Sequence, residues 1–323
     1  MTYDPQNLRS RLTPVEPAGD VACADPAFFD FSQLEPDEIS GPGSRTWWVR
    51  GQNFVLAYSW AVEGDAFARK DQGDEYVVLL LDHAGVVSVA AGAEDREVTG
   101  PALVVVPAGD SEIEIRRNGP MVRLFSCRAE DLSDASRNAG DYAQAHPHVA
   151  PFQPWPAPLG DPGVRAYRIE DYPYEPSRFG RIFQSRTFMV NWFDPDQGPR
   201  NPDALSPHSH SDFEQCSLAV EGEYIHHVRS PWTSRVAEWR EDEHRLLGSP
   251  SVAIIPPRAI HTSQSVGHVR NHLIDIFCPP RADFSDQPGW VINAAEYPNV
   301  ARRTTIRHFR EPLSEPPVQH TAR

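Results

Sequence analysis

Residues 207–221 read PHSHSDFEQCSLAVE, and this stretch decides the fold. His208 and His210 stand two apart, the spacing that puts both imidazoles on one face of a strand. After the polar break SDF the chain alternates. Glu214, Cys216, Leu218 and Val220 share one face, and Gln215, Ser217, Ala219 and Glu221 share the other. Such alternation is the mark of a strand, and it sets the Glu214 carboxylate beside three apolar side chains. A carboxylate aimed into a core is costly unless something pairs with it. A divalent ion held together with the two imidazoles would compensate that cost. His261 supplies a third imidazole, in IIPPRAIHT just after the apolar run 252–255. His208, His210, Glu214 and His261 are the candidate ligands.

This pattern, His-x-His-x3-Glu, then Gly222, then Pro256-x-Arg258-x-x-His261, resembles the two sequence motifs of the cupin superfamily. The family pattern has His-x-His, a Glu three or four residues on, a Gly some residues later, and Pro-x-Gly-x-x-His. The chain departs from it in three places. Glu214 to Gly222 is one residue longer than usual, Arg258 stands where a Gly is usual, and Ser265 stands where an Asn is usual. The resemblance implies an all-β, jelly-roll barrel that holds one divalent ion, Fe, Mn, Zn, Ni or Co, on those four side chains. Three imidazoles and one carboxylate leave one or two coordination positions open, which marks catalytic sites rather than purely structural ones.

The chain repeats itself. EYVVLLLDHAGVVSV, headed by Glu75, parallels EQCSLAVEGEYIHHV, headed by Glu214. ALVVVPAGDSE parallels SVAIIPPRAIH, and RLFSCRAED parallels DIFCPPRAD. Both copies read as short β-runs punctuated by Gly and Pro, and 32 Pro and 20 Gly suit a turn-rich chain. The organisation expected is two tandem barrels, which matches a bicupin: residues 1–130, a Pro-rich strap at 131–163, a second barrel at 164–300 and a polar tail at 301–323. In the first copy the positions of the two His fall in FARKDQGD, and the third falls on Glu112. Glu75 and Glu112 without imidazoles make a poor transition-metal site. A structural or dimerising role is expected for that barrel, with Arg69 and Lys70 as the cations available to an organic ligand. A further His-x-His, His146 and His148, lies in the Pro-rich strap and reads as a surface pair.

Composition narrows the function. The formal net charge is −15 and the pI about 5.3. Nucleic acids and anionic membranes are bound by clustered cations, so neither is an expected partner. The basic tract ARRTTIRHFR near the C-terminus reads as a solvated tail. No apolar run approaches a membrane span, and MTYDPQNLRSRL lacks the form of a signal peptide. The expected location is cytoplasmic. Cys23, Cys127, Cys216 and Cys278 lack metal spacing and read as free thiols.

Three residues are candidates for catalysis. Arg258, three residues before His261, is placed to hold a substrate carboxylate with its two-pronged guanidinium. His272, in NHLIDIF, is a candidate general base. Glu214 is a candidate for proton transfer. The functions considered are a metal-dependent isomerase or lyase on a small hydroxy, keto or sugar acid, an Fe(II) dioxygenase on a catechol-like or diketone substrate, and a non-catalytic sensor of a small molecule. The bicupin uronate isomerases resemble the chain in pairing a metal-free barrel with a metal-binding one. Dimerisation through barrel edges is expected by the same resemblance.

Overall fold

Short runs of Val, Ile, Leu and aromatic residues fold into antiparallel strands that close two barrels. The structure is a computed structural model and describes residues 22–160 and 162–297. The tail at 301–323, with its basic tract, and the first 21 residues lie outside the described residues. Among the described residues no helix is long and apolar enough to cross a membrane.

The larger sheet of the N-terminal barrel runs in the order Arg165–Arg168, Ala102–Val106, Tyr76–Leu80, Gly119–Ser126, Phe54–Ala61, Arg45–Arg50, Glu38–Ile39. Its opposing sheet runs Ala66–Gln72, Gly109–Arg117, Val86–Ala91, Glu94–Thr99. In the C-terminal barrel the larger sheet runs Ala27–Asp30, Ser251–Ile255, Glu214–Glu221, Arg270–Cys278, Met189–Trp192, Arg181–Gln184, and the smaller runs Glu243–Leu247, Tyr224–Arg229, Ile260–Ser265.

The sheet order corrects the expected boundaries. Arg165–Arg168, expected in the second barrel, pairs with Ala102–Val105 of the first. Ala27–Asp30, expected in the first, pairs with Ser251–Ile254 of the second. Each half lends a strand to the edge of the other's large sheet, which covers an edge that would otherwise present unpaired backbone groups.

The two large sheets pack face to face. Val77, Leu79, Val122 and Leu124 from one, and Cys216, Leu218, Ile274 and Ile276 from the other, belong to a single buried cluster. Burying each such side chain contributes on the order of 1.5–3 kcal/mol of transfer free energy. The opposite faces of these strands point into the barrels. In the N-terminal barrel that interior is apolar, with Tyr76, Val78, Leu80, Val104 and Phe125 in one cluster. In the C-terminal barrel the same strand positions carry Gln215, Ser217 and Asp275, all buried.

Two carboxylates cross the seam in opposite directions. Glu214 accepts hydrogen bonds from the backbone N–H groups of Gln52 and Asn53, each at 2.8 Å. A Cβ on Gly51 would stand 2.8 Å from the Glu214 Oε1, so the loop approaches this closely only because residue 51 has no side chain. Glu75 mirrors the arrangement. It accepts from the backbone N–H of Arg186 and from the Tyr297 hydroxyl at 3.3 Å. The strap also meets Arg186, whose carbonyl accepts from the Trp155 N–H at 2.8 Å.

Burial, only partly offset by these backbone donors, raises the Glu214 carboxyl from 4.5 to about 7, and raises Glu75 in the same direction. A carboxyl whose folded-state pKa is raised holds its proton better when folded. Its contribution therefore favours the fold below about pH 4.5 and is lost as pH rises through about 7, by up to roughly 3 kcal/mol for Glu214. Buried histidines held below their usual range, His272 among them, act with the opposite sign, so the Glu214 contribution is read as a difference. The stability of wild type minus that of Glu214→Ala, measured by urea unfolding, should fall between pH 5 and pH 8. An unchanged slope in this variant would show that the carboxyl is not titrating in this range.

Candidate metal centre

The segment carrying His208 and His210 is held against the strand that carries His261. His208 and His261 exchange backbone hydrogen bonds of 3.0 and 2.8 Å, and the His210 carbonyl accepts from the Arg258 N–H at 2.5 Å. The latter bond requires a tight turn, and Arg258 makes it with φ of 73°, the left-handed region in which Gly is usual. The turn expected of a Gly is thus present, made at some conformational cost by an arginine. Gly222 has φ of 89°, and a Cβ there would stand 2.2 Å from the Asn271 Oδ1. No other residue type fits that corner.

The three imidazoles converge. Ring centroids are 4.4 Å apart for His208 and His261, 5.1 Å for His210 and His261, and 6.4 Å for His208 and His210. Glu214 does not join them. Its side chain leaves on the other face of the strand, to Gln52 and Asn53. Gln215 takes the place expected of it: its Oε1 lies 3.2 Å from the Nε2 of both His210 and His261. The signal was available in the spacing. Counted from Gln215, the gap to His210 is the longer of the family's two, and the extra residue before Gly222 disappears. The residue type, an amide in place of a carboxylate, concealed it.

Hydrogen bonds decide which atoms face inward. Gln215 Nε2 donates to Asp275 Oδ1 at 3.1 Å and to Ser217 Oγ at 3.0 Å, while Ser217 Oγ donates to Asp275 at 2.6 Å. Both amide protons are committed, so the oxygen is the atom aimed at the imidazoles. His208 Nδ1 lies 3.1 Å from the Ser206 carbonyl, and His261 Nδ1 lies 3.0 Å from the Ala259 carbonyl. A carbonyl only accepts, so each Nδ1 carries the proton and each Nε2 keeps a lone pair. Burial, and then the cost of charging it beside His261, hold His210 well below the usual histidine range, so it too is neutral.

This donor set fits a divalent ion. His261 Nε2 and Gln215 Oε1, 3.2 Å apart, both present lone pairs, and acceptors that face one another call for a cation between them. Among the described residues no group of three or more His, Cys, Asp or Glu side chains is placed to hold an ion. The three imidazoles alone do not form such a group; the donor set adds the Gln215 amide oxygen, 3.2 Å from two of them.

The remaining expectations are placed differently. Arg258 does not line the cavity beside His208. Its guanidinium runs to the strap, with Nη1 3.4 Å from His148 Nε2. The strap pair His146 and His148 is half-buried, with tilted rings 5.7 Å apart, so it is not a free surface pair. His272 lies on the face of Ile274 and Ile276, against Trp192 at 5.8 Å, pointing away from the cavity. Burial pushes its pKa down to about 4. A general base that cannot reach the pocket has no role in it. Tyr224 and His226, two apart on the strand Tyr224–Arg229, share a face, and both are buried.

A cavity of about 450 Å³ opens beside the imidazoles. His208, His261, Gln215, Tyr224, Asp275 and Arg200 line it. Arg200 escaped the sequence reading because it sits in a Pro-rich loop far from either motif. Its side chain is held by neutral groups: Nη1 donates to the Ser263 carbonyl at 3.2 Å, and Nη2 to Ser206 Oγ at 3.0 Å and the Ala204 carbonyl at 3.3 Å.

Solved structures share this architecture. Oxalate decarboxylase of Lactobacillus farciminis, in a formate complex, matches at 14% identity with a TM-score of 0.50, covering 81% of this chain and 87% of that one. Oxalate decarboxylase of Bacillus subtilis at pH 4.6 matches at 14% identity with a TM-score of 0.51, covering 81% of this chain and 77% of that one. No family model and no curated protein matches the chain.

The donor set makes a direct expectation. Gln215→Ala should weaken Mn(II) or Zn(II) binding, measured by equilibrium dialysis, by about 10–100-fold, and Asp275→Ala by a similar factor through loss of amide orientation. Glu214→Ala, once shown to be folded, should bind as the wild type does. The reverse ranking would return the carboxylate to the ligand set.

Proposed function

We propose that this bicupin is a divalent-metal enzyme that acts on a small oxygenated acid, by a lyase or isomerase type of reaction, in its C-terminal barrel. One observation carries the reading. Arg200, a cation that forms no ion pair among the described residues, lines the same cavity as His208, His261 and Gln215. A substrate with a carboxylate and a neighbouring hydroxyl or keto oxygen matches those two features together. The likeness to oxalate decarboxylases, which is one of fold, is compatible with a small acid as substrate.

His208, His210, His261 and the Gln215 amide oxygen would hold the ion. When bound, the ion supplies Lewis acidity to a substrate oxygen. The chain's own groups do the rest. Asp275 and Ser217 fix the Gln215 amide so that its oxygen points inward. Arg200 offers its guanidinium to the substrate carboxylate and sets the orientation of the acid. Burial pushes the Tyr224 phenol up, so Tyr224 stays a neutral hydrogen-bond donor at the cavity wall.

An all-neutral donor set also bears on the choice between reaction types. Four neutral ligands place no negative charge on the ion directly, and Asp275, behind the Gln215 amide, offsets its charge only in part. That favours an anionic substrate and favours the divalent state of a redox-active metal over the trivalent one. The lyase or isomerase reading is preferred to a dioxygenase on this ground.

The test is a screen of small hydroxy, keto and sugar acids with metal-loaded protein, with and without oxygen. Activity should survive anaerobic assay. Arg200→Met should raise KM for acids by about tenfold or more, with a smaller change in kcat, and Arg200→Lys should recover part of the loss. Consumption of one dioxygen per product would overturn the reading in favour of a dioxygenase. Turnover of neutral and acidic compounds with equal efficiency would remove the role of Arg200.

A further inference from the structure

The N-terminal barrel keeps the positions of the C-terminal pocket and fills them with other chemistry. Ser111 stands opposite Arg69 across its strand pair, as His261 stands opposite His208. Tyr76 follows Glu75 as Gln215 follows Glu214. The Tyr76 hydroxyl lies 3.0 Å from Ser111 Oγ, the counterpart of the contact between Gln215 and His261. Arg123 stands opposite Val78, as Asp275 stands opposite Ser217. Each barrel therefore carries an interior charge at the same place, and the sign is reversed.

Arg123 is 6% exposed. Its guanidinium lies 4.0 Å from the centre of the Phe67 ring and 5.1 Å from that of Trp48. Nη2 makes a long contact of 3.4 Å to Ser59 Oγ, and Nε has no acceptor. No carboxylate forms an ion pair with Arg123 among the described residues. Arg69, at the position equivalent to His208, is saturated by comparison: Nε donates to Gln72 at 2.9 Å, and the two Nη atoms donate to Asp131 at 2.6 and 3.0 Å. A buried cation without a counter-ion is costly. Ring faces return part of that cost. Burial leaves its mark on the group itself, lowering Arg123 from 12.5 to about 10. Hydroxyls stand nearby: Ser59 Oγ on the guanidinium, and Thr46 Oγ1 at 2.8 Å from Ser59.

We propose that the N-terminal barrel is a binding site for a small monocarboxylate, held by the Arg123 guanidinium beside the Ser59 hydroxyl. The ligand supplies the missing counter-ion and the acceptor for Nε. Phe67, which covers the guanidinium and is itself only half-buried, is the side chain that must move to admit it. Two barrels of one ancestry then divide their work: lone pairs arranged for a cation in one, a guanidinium arranged for an anion in the other.

The probe is acetate at constant ionic strength, followed by thermal unfolding of full-length protein. Arg200→Met serves as the background, so that the cation of the C-terminal cavity is absent. Acetate should raise Tm in this protein by a few degrees at concentrations well above Kd. Adding Arg123→Met should abolish the rise. An equal rise with Arg123→Met, or no rise in either protein, overturns the proposal. Should Arg123→Met fail to fold, crystals of the Arg200→Met protein soaked in acetate decide the matter. A carboxylate bound to the Arg123 guanidinium supports the site, and its absence there overturns it.

Discussion

The parity of one strand governs this molecule. Side chains along Glu214–Glu221 alternate between two faces, and a shift of one residue exchanges them all. One face carries Cys216 and Leu218 into the seam between the barrels. The other carries Gln215 and Ser217 into the C-terminal cavity. Because apolar burial at the seam fixes which face is which, it also fixes that the amide, and not the neighbouring carboxylate, meets the imidazoles. The polar interior is a consequence of where the apolar face had to go.

Glu214 shows how a buried carboxylate is accommodated without a metal. Two backbone donors of a Gly-containing loop satisfy it, yet burial still raises its pKa. Such a contact adds little net stability, since desolvation offsets much of the gain. Its effect is geometric. Glu214 and Glu75 each bind the loop between the first strands of the opposite barrel, so the two barrels are pinned in one relative setting. The exchange of edge strands acts to the same end.

The duplication has diverged in its interiors far more than in its seam. Tyr76 and Gln215, Ser111 and His261, and Arg123 and Asp275 occupy matching places on matching strands. Changing a few inward-facing residues replaces a polar cavity by a largely apolar interior around one buried guanidinium, because the seam residues on the alternate positions hold the sheets in place.

The sequence alone determined the class of fold and the tandem barrels, because β-runs broken by Gly and Pro, together with a repeated pattern, are local signals. It singled out His208, His210 and His261 for the same reason: three imidazoles at motif spacing are visible in one dimension. It also placed Arg69 in the metal-free barrel's cation inventory, though not Arg123, which reads as an ordinary strand residue. Tertiary structure decided the rest. Only the packing of sheet on sheet shows which parity faces inward, and so it replaced Glu214 by Gln215 and turned His272 toward Trp192. Only the course of the strap across the second barrel explains why Arg258 meets His148, and only loop placement brings Arg200 to the cavity. These outcomes depend on contacts between residues far apart in the chain, whose distances no local pattern encodes.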